Sequence, residues 1–157
     1  MLPKFEIRYA CVADAAEVAS LIDTTLDKCC FTAECPYPPW LKTELTPEAM
    51  ARLLQTPSMI CVLAIQDAQV VGVLAIHDRS RIKYFFVDAN KQGQGIGKQL
   101  WIFAQEAGAF ADVLTVRSSL NAVPIYAQLG FMLKGEVACF NGLYYQEMLA
   151  TGCLHRQ

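Results

Sequence analysis

A chain of 157 residues with a formal net charge of −2 is one domain's worth of protein and lacks the basic surplus that a nucleic-acid partner requires. Although 54% of its residues are apolar, no run approaches the roughly 18 uninterrupted apolar residues of a spanning helix, so no membrane partner is expected. No basic segment followed by an apolar core precedes Phe5, so no secretory leader is expected either.

In chain order, residues 4–10 alternate as a strand, with Phe5, Ile7 and Tyr9 on one face. Asp14 with Glu17 three residues on reads as a capping box, opening a helix whose inward stripe is Val18, Leu21, Ile22 and Leu26. Residues 27–45 break every periodicity with cysteines, prolines and aromatics. Thr46-Pro47-Glu48 restarts a helix with an N-cap, a first-turn proline and an early acid, and turns Met50, Leu53 and Leu54 inward. Met59–Gln66, Gln69–His77 and Arg81–Val87 read as a three-strand antiparallel meander. A glycine-rich turn follows, then a helix carrying Ile96, Leu100, Phe103, Ala104 and Ala107 at three- and four-residue spacing. Residues 113–117 form another strand. Asn121 reads as the N-cap of a short helix with Pro124 in its first turn, Ile125 and Leu129 facing inward, and Gly130 closing it. Residues 137–140 and 143–149 pair around the hairpin dipeptide Asn141-Gly142. The chain shows no repeats or linkers, so residues 1–157 are read as a single domain.

Seven cysteines, an odd number, fit a reduced cytoplasmic setting better than a disulfide framework. Cys29, Cys30 and Cys35 match no standard metal spacing, so no metal is expected, and Cys11, Cys61 and Cys139 read as core.

The chemistry concentrates in residues 87–100. A strand feeding glycines into a helix N-terminus is an anion cradle, because consecutive backbone N–H groups converge where the helix dipole is positive. The spacing rejects the Walker A loop: Gln92 stands where its first glycine belongs, and Gln99 follows Lys98. It also rejects the dinucleotide fingerprint, whose third glycine would fall one residue later. Gln92-Gly93-Gln94-Gly95-Ile96-Gly97 instead resembles the Gln/Arg-x-x-Gly-x-Gly/Ala signature of the GCN5-related N-acetyltransferase (GNAT) superfamily. The segment from Asn121 through Tyr126 to Gly130-Phe131 is similar to that superfamily's late Asn…Tyr…Gly-Phe segment.

The resemblance covers nearly the whole chain. It implies an α/β fold with a mixed, mostly antiparallel central sheet and flanking helices, in the order β-α-α-β-β-β-α-β-α-β-β. It further implies acetyl-CoA as co-substrate and direct attack of a primary amine, that of a small molecule, on the thioester through a tetrahedral intermediate. Its pyrophosphate would lie on the loop of Gln92, Gly93, Gln94, Gly95, Ile96, Gly97 and Lys98. Pantetheine would run along Phe85, Phe86 and Val87 and past Asn121. Tyr126 would protonate the departing thiolate; as a residue type alone it reads first as a half-buried packing tyrosine, and the pairing with the upstream loop favours the functional reading. Many relatives carry a carboxylate four residues before the equivalent of Val87, where this chain has Lys83. The base is therefore sought at His77, Glu34 or Glu44, or in a water chain. For the acceptor, Phe31, Glu34, Trp40 and Tyr144 are the expected contacts, an aromatic wall with carboxylates suited to an amine. A non-catalytic acyl-CoA sensor of the same fold is the alternative, and a homodimer through the last hairpin is compatible with the resemblance.

Overall fold

The computed structural model describes residues 4–151. Strand β1 (Glu6–Tyr9) leads through a single helical turn into α1 (Ala15–Cys29); α2 (Pro39–Thr43) and α3 (Pro47–Leu54) follow. The meander is β2 (Met59–Gln66), β3 (Gln69–His77) and β4 (Arg81–Val87), with the bounds read from the sequence. Then come α4 (Ile96–Glu106), β5 (Val113–Ser118), α5 (Val123–Gln128), β6 (Met132–Leu133), β7 (Ala138–Phe140) and β8 (Leu143–Thr151). The sheet runs β1-β2-β3-β4-β5-β8-β6, with β7 paired to β8. Neighbouring strands are antiparallel except β4 and β5. This is the mixed, mostly antiparallel α/β sheet with flanking helices that the sequence implied.

Two cores cover the two faces. Ile96, Leu100, Trp101 and Ala104 of α4 pack with Tyr126 and Phe131 on one side; α1 and α3 pack Val18, Ile22, Leu26 and Met50 on the other. Gly72 lets α4 lie close to the sheet: a Cβ there would come within 2.9 Å of Ile96 Cγ2 and 3.0 Å of Leu100 Cδ1.

The parallel pair matters most. β4 and β5 pair only at Arg81↔Thr115 and Ile82↔Val116, and beyond Ile82 they separate. The closed end is fastened from outside the ladder. Ala111 N–H donates to Arg79 O at 2.7 Å, and Thr115 N–H to Ser80 O at 2.8 Å. The Arg79 guanidinium reaches Gly108 O at 3.0 Å and Phe110 O at 3.3 Å. Those bonds offset the left-handed backbone of Arg79 (φ 60°), a conformation that costs a non-glycine residue about 1–2 kcal/mol.

Several details differ from the sequence reading. α2 and the two-residue β6 arise in stretches without readable periodicity, and β8 enters the sheet between β5 and β6 instead of forming only a hairpin with β7. Cys11 and Cys139 are exposed; of the three cysteines assigned to the core, Cys61 alone is buried. On α5 the inward residue is Tyr126, while Ile125 is 57% exposed.

The Asp14–Glu17 box does not form. Asp14 takes two guanidinium nitrogens of Arg8 at 2.9 Å and the Cys11 N–H at 2.8 Å, and Glu17 accepts from Val70 N–H at 3.3 Å. A forked pair between two ionised groups outcompetes a carboxylate cap on the neutral amides of the helix. The Arg8 guanidinium holds the Asp14 carboxyl well below the usual carboxylate range. Because the folded-state pKa is the lowered one, the stabilisation is complete above the unfolded value of 3.8 and is lost as pH falls towards the folded value. Asp14→Asn is expected to cost about 1.5–3 kcal/mol in urea unfolding at neutral pH, the worth of hydrogen bonds to charged groups. Its deficit should shrink on acidification below the carboxylate range; a deficit independent of pH would show that the charge is not what matters.

Candidate active site

Where β4 and β5 diverge, they leave a cleft of about 570 Å³. Its walls include Leu26, Cys30 and Phe31 from the end of α1 and the loop after it, and Trp40 and Glu44 from α2 and its C-terminus. β4 contributes Arg81 through Phe86, β5 contributes Val116 to Ser118, and Asn121 and Tyr126 close the far side. Phe140, Tyr144 and Tyr145 of the last hairpin complete it, and Trp40 Nε1 ties α2 to that hairpin through Asn141 O at 2.7 Å.

β4 presents an open edge to this cleft. Asp88 N–H donates to Val71 O at 2.8 Å, so strand alternation turns the amides of Phe85 and Val87 away from β3, into the gap. Val87 O on that side is reached by Gln92 Nε2 at 3.2 Å, which fastens the glycine loop to the strand end.

The loop holds Gly93 at φ 85° and Gly95 at φ 83°, the latter as the N-cap of α4. A Cβ on either would meet nothing within 4 Å, so the glycines serve backbone conformation and an open approach rather than packing. The first helical bond is Gln99 N–H to Gly95 O at 3.0 Å. The amides of Gln92, Gly93, Gly95, Ile96, Gly97 and Lys98 have no partner among the described residues. Unpaired amides at a helix N-terminus are donors awaiting an anion. Gln94 contacts Gln66 Nε2 at 3.3 Å, beside a buried Gln66 Oε1 that has no hydrogen bond.

Tyr126 is 6% exposed, seated among Phe131 at 5.4 Å and Phe85 at 6.2 Å between ring centroids, with Trp101 behind both. Its hydroxyl has no hydrogen-bond partner among the described residues, and the side chain lines the cleft. Burial pushes its phenol above the ordinary tyrosine value, so it stays protonated at neutral pH.

The other expected residues divide. Phe31, Trp40, Tyr144, Phe85, Phe86 and Asn121 line the cleft with Tyr126; Val87 and the loop from Gln92 to Lys98 follow β4 directly and do not wall it. Asn121 is not the cap of α5, which begins after a further helical turn. Its Nδ2 donates to Cys29 O at 2.5 Å, clamping α1 to the far side of the cleft, a contact across 92 residues that no local pattern signals. Glu34 lies outside the cleft, in a small groove with Tyr37 and Asn141. His77 is not brought to the cleft either: it ends β3 beside Asp78, with Nδ1 3.4 Å from Asp78 Oδ2. Glu44 does line it, and Lys83 Nζ lies 3.9 Å away. Arg81 and Arg117 are cleft residues the sequence reading did not select. The alternation of β5, with Leu114 and Val116 buried, places Arg117 on the opposite face and was the available signal.

A mixed sheet split between two parallel strands, with an amide cradle at the end of one of them, is the architecture of an acyltransferase. Residues 32–151 match the family model for the acetyltransferase (GNAT) domain, and the chain belongs to that family. Among solved structures it is similar to a GCN5-related N-acetyltransferase from Rhodopseudomonas palustris, with TM-score 0.76, 23% identity, and 96% of this chain and 98% of that one covered. PaiA N-acetyltransferase from Thermoplasma acidophilum, in complex with coenzyme A, gives 0.70 at 14% identity, covering 94% and 99%. Apo YjaB from Escherichia coli gives 0.61 at 24% identity, covering 95% and 98%. No curated protein matches the chain in sequence. No helix among the described residues is long and apolar enough to cross a membrane.

Proposed function

We propose that this acetyltransferase moves the acetyl group of acetyl-CoA to a primary amine of a small molecule, both substrates being held at once. The observation that carries this reading is the continuity of the free amides from Gln92 to Lys98 with the open edge of β4 and, in the same cleft, the unpartnered Tyr126 hydroxyl. The loop suits a pyrophosphate: its donors are free and no Cβ obstructs Gly93 or Gly95. The structure of PaiA N-acetyltransferase with coenzyme A supports the same occupant here.

Acetyl-CoA supplies the activated acetyl thioester. The amides of Phe85 and Val87 hold the pantetheine arm in strand fashion and polarise the carbonyl. The acceptor nitrogen bonds to the carbonyl carbon to give a tetrahedral intermediate; as it collapses, the carbon–sulfur bond breaks and its electron pair leaves on sulfur, where Tyr126 Oη delivers a proton. The ammonium proton passes to Glu44, the only carboxylate among the described cleft residues, directly or through water. His77 does not line the cleft, so Glu44 takes its place in the scheme. The six described cysteines are all free, which suits a reducing, cytoplasmic setting.

Lys83 in the usual carboxylate position supports the alternative of a sensor that binds acyl-CoA without turnover. Calorimetric titration with acetyl-CoA, CoA and ATP, followed by a thiol-release assay over amines, separates the readings. Binding of both CoA species but not ATP, with thiol release, is expected. Binding without release over a broad amine panel would favour the sensor, and no binding of CoA by folded protein would sink both.

A further inference from the structure

The cleft carries a charge excess that acetyl transfer by itself does not require. Arg81, Lys83 and Arg117 line it against the single carboxylate of Glu44. The Lys83–Glu44 pair is close to neutral, so the two arginines set the sign. Neither arginine has an ion-pair partner among the described residues. Glu147, directly across the ladder from Arg117, is engaged by Lys134 Nζ at 3.5 Å and does not line the cleft. Arg117 instead lies over the Tyr145 ring, Cζ 5.2 Å from its centroid, which orients the guanidinium while leaving its donors free to fork onto an anion.

These cations are badly placed for the cofactor's pyrophosphate. Arg81 stands six residues before Val87, about 20 Å of extended strand from the glycine loop. Arg117 lies two residues beyond Thr115, the partner of Arg81, where the split begins. Both therefore sit toward the closed end of the cleft, on the side of the Phe85 amide away from the glycine loop, which is the side left for the acceptor. A plain alkylammonium ion would be repelled there. The aromatic surfaces of Phe31, Trp40 and Phe140 offer the rest of the pocket to something apolar.

We propose that the acceptor is an amine that carries its own carboxylate, an amino acid in chemical class. Arg117 takes the carboxylate and the aromatic wall takes an apolar side chain. This inference rests on the acetyl-transfer reading. It corrects the expectation of an acidic, cation-binding pocket, since Glu34 is outside the cleft and Glu44 is paired.

Matched acceptors test it: apolar amino acids such as phenylalanine and leucine, the corresponding amines lacking the carboxylate, and aminoalkyl phosphates, each read by thiol release at saturating acetyl-CoA. The carboxylate-bearing member of each pair is expected to have the higher kcat/KM by roughly tenfold to a hundredfold, the size of a charge-assisted hydrogen bond. Arg117→Gln should erase that preference by raising the amino acid's KM at least tenfold more than that of the carboxylate-free amine, while calorimetric acetyl-CoA affinity changes less than twofold. Preference for the bare amine or for the phosphate overturns the inference, as does a preference that survives in Arg117→Gln. Acetyl-CoA binding with no turnover of any amino acid also overturns it. Failure to bind acetyl-CoA at all is the separate signature that the underlying reading is wrong.

Discussion

Tyr126→Phe is expected to lower the turnover number at least tenfold, and by as much as the roughly 10²–10⁴ typical of a positioned proton donor, while acetyl-CoA affinity stays within error. The argument comes from the aromatic seat. Phe131, Phe85 and Trp101 fix the ring by shape, and phenylalanine keeps that shape. What disappears is one oxygen without a hydrogen-bond partner among the described residues, on a side chain that lines the cleft. Its removal breaks no hydrogen bond within the chain, so the variant should melt no lower than the parent. A residue kept for packing would show no kinetic loss. Since burial raises the phenol's pKa, it stays protonated through neutral pH, and titration of Tyr126 should contribute no limb to the pH–rate profile there. Full turnover in the variant would remove Tyr126 from the chemistry.

Gly95→Ala should weaken CoA binding at least tenfold in calorimetry, and Gly97→Ala should not. The residues are two apart, but their backbones differ. Gly95 sits at φ 83°, where a Cβ costs about 1–2 kcal/mol and, with nothing within 4 Å of it, would project into the space left for the ligand. Gly97 has no such backbone demand, and its added Cβ would meet Val87 Cγ2 at 3.6 Å and Phe85 Cζ at 3.7 Å, ordinary packing distances. That contrast accounts for a signature that accepts alanine at the second position only. Equal losses in the two variants would mean that bulk, and not backbone conformation, governs the loop.

The parts of this molecule readable from sequence are those decided locally. The meander strands were legible to the residue because short apolar runs of strand length, cut by two- and three-residue turns, fix them without distant help. The glycine loop was legible because positive φ and free amides are properties of the loop itself. Asp14 and Asn121 were misread for the opposite reason. Each has the chemistry of a helix cap, but a stronger or nearer partner from another element claims it: Arg8 from β1 in one case, the carbonyl of Cys29 in the other. Ile125 and Tyr126 exchanged expected faces because one extra helical turn after β5 rotates the start of α5. The charge of the cleft was hidden because it comes from β4, β5 and α2 together, and no segment of the chain displays it alone.

The fastening of β4 to β5 at their closed end has a mechanical consequence. With Arg79, Ser80, Ala111 and Thr115 bonded there, sliding of the two strands would break several hydrogen bonds at once, whereas a small change in the angle between them would break none. From Ile82 to Val87, β4 stays paired to β3 and is open only on its β5 side over about 16 Å, so a rotation of roughly ten degrees between the two halves of the sheet would displace the open end by about 3 Å. A small angular fluctuation at a rigid corner is thereby magnified at the far tip, where the long co-substrate must thread in and the spent thiol must leave. The fastened end hardly moves. Entry to the cleft is thus governed at the end of the sheet's split that carries no fastening.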